Sequence, residues 1–84
     1  MIWELIIKHL RVEFGEDRIY VPGRISGLSL AKSLTVRLGG VNITVSDRKS
    51  YARIWNNQAS VQYSDPKFFD SLVSAIKSVV YSSP

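Results

Sequence analysis

The feature that most constrains the fold is a pair of alternating segments joined by two glycines. Residues 34–38 and 41–45 both alternate apolar and polar side chains, and Gly39-Gly40 lies between them. Alternation is typical of a strand with one buried face, and glycines accept the positive φ angles of a tight hairpin turn. The two-residue turn predicts three apolar pairs: Leu38–Val41, Val36–Ile43 and Leu34–Val45. A shift by one residue would expose all of these side chains, so the pattern also predicts the register.

A second hairpin is predicted over residues 51–63, around Asn56-Asn57, since asparagine tolerates the left-handed backbone of such turns. If these two asparagines form the turn, one face of the hairpin holds Ala52, Ile54, Ala59 and Val61. A three-residue loop would instead pair Trp55 with Ala59, and the sequence leaves both registers open.

The chain ends in a segment with helical periodicity. Asp65 is a good N-cap, and Pro66 suits the first position of a helix. Apolar residues then recur at helical spacing, namely Phe69, Leu72, Val73, Ile76 and Val80. These features predict an amphipathic C-terminal helix.

The first third of the chain carries a mixed pattern. Trp3, Ile6, Ile7, Leu10 and Phe14 match a helix, yet residues 10–14 alternate strictly and no cap precedes them. We favour a strand over residues 4–14, followed by a short strand over 18–21. Pro22-Gly23 should end that strand, and residues 26–34 could form a short helix or an irregular crossing.

These elements predict the α+β class: one domain spanning residues 1–84, with an antiparallel β-sheet and the C-terminal amphipathic helix packed on one face. The other face of such a sheet is free to contact solvent or a partner.

The residue inventory argues against an enzyme. The chain has no cysteine and one histidine, His9, which we expect to be structural or solvent-facing. Thiolate metal sites and an ordinary serine–histidine–acid arrangement therefore lack their groups, and we expect no cofactor, metal or small-molecule substrate. No apolar run approaches the ~20 residues that span a bilayer, so we expect a cytoplasmic protein without a membrane partner.

Positive charge is concentrated in the middle of the chain. Residues 18–53 carry seven basic residues against Asp47 alone, a net +6 within a chain of net charge +4. A solvated strand surface would explain this, and so would a nucleic acid or an acidic protein partner. The candidate contact residues are Arg37, Arg48, Lys49, Tyr51, Arg53 and Trp55.

Three of these candidates, Tyr51, Arg53 and Trp55, occupy alternate strand positions and so share one face. They could stack on unpaired bases while Arg48 and Lys49 hold phosphates. They could equally anchor a protein interface, where Trp, Tyr and Arg are enriched, or belong to a core face.

The last third of the chain also resembles a known family. Residues 53–63 form a hairpin with a polar turn, and residues 65–78 follow as an acidic cap and a helix. This arrangement resembles the end of the small dimer-forming (Pcc-type) subunit of the KEOPS complex. Leu72, Ile76 and Ser78 match the helix pattern of that family, while Lys77 stands where asparagine is usual. The family has a helix after its first strand, where this chain has Pro22, Gly23 and Gly27.

The resemblance implies a non-catalytic assembly subunit that pairs with itself or a paralogue, docks a kinase-like catalytic subunit and supports threonylcarbamoyl modification of tRNA. It marks Leu72 and Ile76 as helix interface candidates, although a core position explains them equally. A small domain without disulfides also gains stability by association, so a homodimer or another protein partner is expected. The alternative is a small basic module that binds RNA or DNA through its aromatic and basic strand face.

Overall fold

A computed structural model describes residues 3–20 and 32–82 of the chain. Its elements, in chain order, are α1 (Trp3–Phe14), a 3-10 turn (Glu16–Arg18), β1 (Ile19–Tyr20), β2 (Ser33–Leu38), β3 (Val41–Asp47), β4 (Tyr51–Ile54), β5 (Ala59–Gln62) and α2 (Phe68–Ser82). The strands form one antiparallel sheet in the order β1-β2-β3-β4-β5. Helix α2 packs on this sheet, so the predicted α+β class is confirmed.

The β2–β3 hairpin has the predicted register. Leu38 pairs with Val41, Val36 with Ile43 and Leu34 with Val45, and all but the half-buried Val41 lie in the core. Gly39 and Gly40 both have positive φ angles, 56° and 86°. The turn therefore uses the conformational freedom that makes Gly-Gly suitable there.

The β4–β5 hairpin follows the register of the Asn56-Asn57 turn, with Ile54 opposite Ala59. The three-residue alternative is therefore excluded. The left-handed residue is Gln58, with a φ of 59°, rather than either asparagine. Asn57 supports the turn instead, because its Oδ1 accepts from the backbone N–H of Ala59 at 3.1 Å and its Nδ2 donates to the carbonyl of Ala75 at 3.2 Å.

The predicted strand over residues 4–14 is wrong, because this segment is helix α1. Trp3, Ile6, Ile7 and Leu10 are buried at helical spacing, whereas Val12, which a strand would have buried beside Leu10, is 81% exposed. The physical reason is the width of the sheet. Five strands spaced by about 4.8 Å are wider than the ~10 Å diameter of one helix, so a second helix is needed to cover the apolar face.

Helix α2 begins close to the predicted cap. The carboxylate of Asp65 accepts hydrogen bonds from the backbone N–H of Lys67 at 2.8 Å and from the hydroxyl of Ser71 at 3.1 Å. Pro66 lies in the turn just before the helix. On the helix itself Phe68, Leu72 and Ile76 are buried, and an ion pair between Lys77 and Glu13 joins α2 to α1.

One hydrophobic core joins both helices to a single face of the sheet. The predicted short strand over 18–21 is present as Ile19–Tyr20, which pairs with the end of β2. The prediction for Pro22-Gly23 and most of the prediction for residues 26–34 lie outside the described residues. Ser33 and Leu34, at the end of that range, are the first residues of strand β2. Among the residues that the structure describes, no helix is long and apolar enough to cross a membrane.

Candidate functional site: the open face of the sheet

The open face is the side of the sheet opposite the two helices. Alternation along each strand and the strand pairing assign the strand residues of this face, which are Tyr20, Ser33, Thr35, Arg37, Asn42, Thr44, Ser46, Tyr51, Arg53, Ser60 and Gln62. None of these residues is aliphatic and none is acidic. No other described element packs over them, so the face is a polar, cationic surface rather than a second core layer.

Positive charge on this face lacks a neutralising carboxylate among the described strand residues. Arg37 projects from β2 and Arg53 from β4, while Arg48 reaches the face from the turn between β3 and β4. The nearby acid, Asp47, is paired with Ala52 on the helix side of the sheet, where its carboxylate accepts a hydrogen bond from the hydroxyl of Tyr63. The cations on the open face therefore remain available to an anionic ligand.

Trp55 is the aromatic centre of the open face and is 44% exposed. Its backbone N–H donates to the carbonyl of Thr44 at 2.9 Å, and its indole Nε1 donates to the hydroxyl of Ser46. The guanidinium carbons of Arg53 and Arg48 lie 4.8 Å and 5.5 Å from the centre of the indole. Both distances fall within the range of cation–π attraction, so the indole and the two arginines form one cluster.

The orientation of Arg53 is fixed by a residue that the sequence analysis did not select. Nη2 of Arg53 donates to Oε1 of Gln58 at 2.8 Å, across the β4–β5 turn. The Nε of Arg53 is buried and has no hydrogen-bond acceptor in the described part of the chain. The guanidinium is thus held beside the indole by Gln58 and by stacking, without a carboxylate partner.

Asn56 explains why Trp55 stays on the open face although it lies beyond the last residue of β4. Its Oδ1 accepts from the backbone N–H of Thr44 at 3.2 Å, and its Nδ2 donates to the carbonyl of Asn42 at 2.8 Å. The side-chain amide of Asn56 therefore binds to the backbone of β3 as the next residues of a longer β4 would. It extends the pairing of β4 with β3 beyond the end of β4. This bridge fixes the backbone that carries the indole.

Tyr20 is a further aromatic residue of the open face, besides Trp55 and Tyr51, and the sequence analysis did not select it. It pairs with Arg37 at the β1 edge and is 63% exposed. Three strand spacings separate β1 from β4, so the strand that carries Tyr20 and the strand that precedes Trp55 lie about 14 Å apart. The alternation of residues 18–21 places Tyr20 on one side of a strand, but nothing local in the sequence indicates the neighbouring strand.

The remaining predicted site residues divide into two groups. Lys49 is exposed in the β3–β4 turn, and Tyr51 is half-buried beside Gln62 at the far end of the open face. Leu72 and Ile76, the helix interface candidates, are only 1% and 0% exposed. These two side chains belong to the core, which is the alternative that the sequence left open.

His9 lies outside this site. It is an exposed residue of α1 on the helix side, and its imidazole stacks on the Phe69 ring with centroids 4.3 Å apart. Within residues 3–20 and 32–82, no three His, Cys, Asp or Glu side chains are grouped so that they could hold a metal ion.

Comparisons of the chain with protein-family models, curated proteins and solved structures gave no match. The resemblance of residues 53–78 to the small KEOPS subunit therefore stays a prediction. With Leu72 and Ile76 in the core, an interface of that kind would need other residues of α2.

Proposed function

We propose that this protein binds single-stranded nucleic acid across the open face of its sheet. The observation that carries the proposal is the exposed Trp55 indole, clustered with the guanidinium groups of Arg53 and Arg48 on a face whose strands contribute no acid. Aromatic rings stack on unpaired bases, and cationic side chains contact the phosphates that join them.

The composition of the open face favours nucleic acid over an acidic protein. The centre of a protein interface is typically apolar and depleted of charge. Here the strand residues are hydroxyl, amide, arginine and tyrosine side chains, without one aliphatic group. Such a surface offers planar stacking groups and hydrogen-bond donors, which suit bases and phosphates.

The arrangement also favours a single strand over a duplex. Tyr20 and Trp55 present two separated aromatic surfaces on one broad face, with Arg37 between them. Stacking on either ring requires a base that is not already stacked and paired inside a duplex. Transfer RNA would then bind through its unpaired loops or its single-stranded end.

The test is a fluorescence anisotropy titration with labelled oligonucleotides of about 12 nucleotides, within the range of site sizes known for single-strand binding domains. Single-stranded RNA, single-stranded DNA, a duplex and tRNA are compared at low and physiological salt. We expect salt-dependent binding that prefers single strands, and a roughly 5- to 150-fold loss with Trp55→Ala, equivalent to about 1–3 kcal/mol of stacking.

The matched control is Tyr81→Ala, which removes an aromatic ring that is 71% exposed on the helix side. This variant should bind like the wild-type protein. The proposal would be contradicted if Trp55→Ala and Tyr81→Ala lost the same affinity for single strands. It would also be contradicted if Trp55→Ala weakened the binding of single strands and of duplex equally.

A further inference from the structure

A shallow hollow lies at the corner of the open face, where β1, β2 and the β2–β3 turn meet. This corner hollow is lined by Asp17, Arg18, Tyr20, Arg37, Gly39 and Gly40. Its volume is about 370 Å³, within the range of about 300–1,000 Å³ that is typical of ligand pockets. Because Tyr20 and Arg37 belong to the open face, a strand bound at Trp55 can extend into the hollow.

The charged and aromatic residues that line the corner hollow are exposed to solvent. Tyr20 pairs with Arg37 across β1 and β2, and both project from the open face. Asp17 and Arg18 lie in the 3-10 turn that leads into β1. In the described part of the chain, no ion pair or side-chain hydrogen bond engages Asp17, Arg18 or Arg37. One aromatic ring, two cations and one carboxylate are therefore available together to a ligand.

Each of these groups matches one part of a ribonucleotide. The Tyr20 ring can stack on an unpaired base. The guanidinium groups of Arg18 and Arg37 suit a phosphate, whose oxygens arginine binds with two parallel hydrogen bonds. The carboxylate of Asp17 only accepts hydrogen bonds, so it repels a phosphate but accepts from the hydroxyl of a ribose. The acid in the hollow thus points to the sugar as the group that is recognised.

We propose that the corner hollow binds one ribonucleotide of an RNA strand and makes the open face select RNA over DNA. The inference rests on the proposed function, since the rest of that strand lies along the open face toward Trp55. The 2′-hydroxyl donates a hydrogen bond to the carboxylate of Asp17, while the phosphate lies against Arg18 and Arg37. A DNA strand has no such hydroxyl, so the carboxylate would stand beside a phosphate without a sugar donor to offset the repulsion.

The experiment is a fluorescence anisotropy titration with three labelled single strands of one base sequence. The first strand is RNA. The second is DNA with deoxyuridine in place of thymidine, so that it differs from the RNA only in lacking the 2′-hydroxyls. The third is 2′-O-methyl RNA, which keeps the 2′-oxygen but cannot donate a hydrogen bond from it. We expect RNA to bind at least about tenfold more tightly than either of the others, the effect of one hydrogen bond to a charged group.

Asp17→Ala removes the acceptor and should equalise the affinities for RNA and DNA. Both affinities should rise, because the substitution also removes an acid beside the phosphates. The matched control is Glu16→Ala, which removes the same charge from the same turn, at an exposed residue that does not line the corner hollow. This control should keep the full preference for RNA.

Arg37→Gln separates phosphate binding from sugar recognition. It should weaken the binding of RNA and DNA alike, and reduce the log–log salt slope by about 0.7, equivalent to one phosphate contact. Circular dichroism establishes that each variant is folded.

Adenosine monophosphate distinguishes an RNA strand from a free ribonucleotide, which carries the same groups. One nucleotide cannot occupy the corner hollow and contact the Trp55 cluster at once. It should therefore displace labelled RNA only at concentrations at least about a hundredfold above those of the unlabelled strand. Displacement by the nucleotide and by the strand at equal concentrations would contradict the binding of a strand in the hollow.

Three results would overturn the selection of RNA by the corner hollow. They are equal affinities of the wild-type protein for RNA and DNA, tight binding of 2′-O-methyl RNA, and an RNA preference that persists in folded Asp17→Ala. Each of these results would leave single-strand binding at Trp55 intact. A wild-type protein that binds none of the three strands would instead contradict the proposed function, and the inference with it.

Discussion

The guanidinium carbon of Arg53 lies 4.8 Å from the centre of the Trp55 indole, close enough for cation–π attraction. Gln58 accepts a hydrogen bond from the same guanidinium at 2.8 Å. A neutral amide, rather than a carboxylate, therefore holds the arginine in place. The hydrogen bond to Gln58 orients the guanidinium of Arg53 without neutralising it, so its charge remains available to a phosphate.

Gln58→Glu tests the importance of that neutral amide. Glutamate keeps the shape and the acceptor oxygen, but it neutralises Arg53 and puts an acid on the open face. We expect weaker binding of single-stranded RNA, and a log–log salt slope reduced by about 0.7, equivalent to one phosphate contact. Thermal unfolding should change little, because an exposed ion pair contributes little to stability.

The charge-matched control for this change is Ser74→Glu, at an exposed position of α2 on the helix side. Ser74→Glu should reduce the affinity for single-stranded RNA less than Gln58→Glu does. The same loss of affinity in both variants would indicate a general charge effect and contradict a specific role for Arg53.

Leu72→Ala tests whether the inner face of α2 is core or interface. Its side chain is 1% exposed, so truncation should lower the free energy of unfolding by about 2–5 kcal/mol, measured by urea denaturation. Ile76→Val, at a fully buried position, should cost about 0.5–1.5 kcal/mol. An unchanged urea midpoint together with lost self-association would show instead that these residues form an interface.

Asp65→Ala tests the start of α2. This substitution removes both hydrogen bonds of the carboxylate, to the Lys67 N–H and the Ser71 hydroxyl, and should lower the free energy of unfolding by about 1 kcal/mol. Asp70→Ala removes another acid from the first turn of the same helix and serves as the control. A larger effect of Asp70→Ala in urea denaturation would show that general charge at the helix start matters more than the cap.

Tyr63 makes stability depend on pH at the alkaline end. Partial burial, together with its hydrogen bond to the Asp47 carboxylate, raises the pKa of the Tyr63 phenol above its ordinary value. The phenol of the unfolded chain ionises near pH 10 while the folded one keeps its proton. The contribution of Tyr63 is therefore complete below pH 10 and decreases as pH rises above it.

Tyr63→Phe should remove this part of the pH dependence and lower the free energy of unfolding at neutral pH by about 1 kcal/mol. Urea denaturation at pH 8 and at about pH 10.5, just above the ordinary tyrosine pKa, measures both effects, with Tyr81→Phe as the control. A wild-type curve and a Tyr63→Phe curve that fall in parallel would show that the Tyr63–Asp47 pair does not carry the pH dependence.

Local patterns predicted those parts of the fold in which a single register satisfies every residue. The β2–β3 hairpin is such a case, since Gly39-Gly40 and the alternation of both strands require the same pairing. The β4–β5 turn was less constrained, because the left-handed residue is Gln58 and the asparagines act through their side chains. Side-chain bridges of this kind leave no periodic signal.

The segment that forms helix α1 was predicted as a strand because residues 10–14 fit both the period of a strand and that of a helix. Only the packing of the rest of the fold decides between these two structures. Val12 is exposed because the apolar face of five strands needs a second helix over it, with Leu10 inward. Tyr20 was missed for a similar reason, since its place beside Arg37 depends on which strand pairs with β1. Both errors concern long-range packing, which is invisible in a short window of sequence.

The most direct test of the open face uses the two tryptophans as separate reporters. Trp55 lies on the proposed binding face, whereas Trp3, the first residue of α1, is fully buried in the core on the other side of the sheet. In a two-dimensional NMR titration with single-stranded RNA, the indole N–H signal of Trp55 should shift to saturation at low salt and return as salt is added. The indole signal of Trp3 should stay in place. A shift confined to residues of α1 and α2, or no shift of the Trp55 indole at saturating RNA, would contradict nucleic-acid binding by this face.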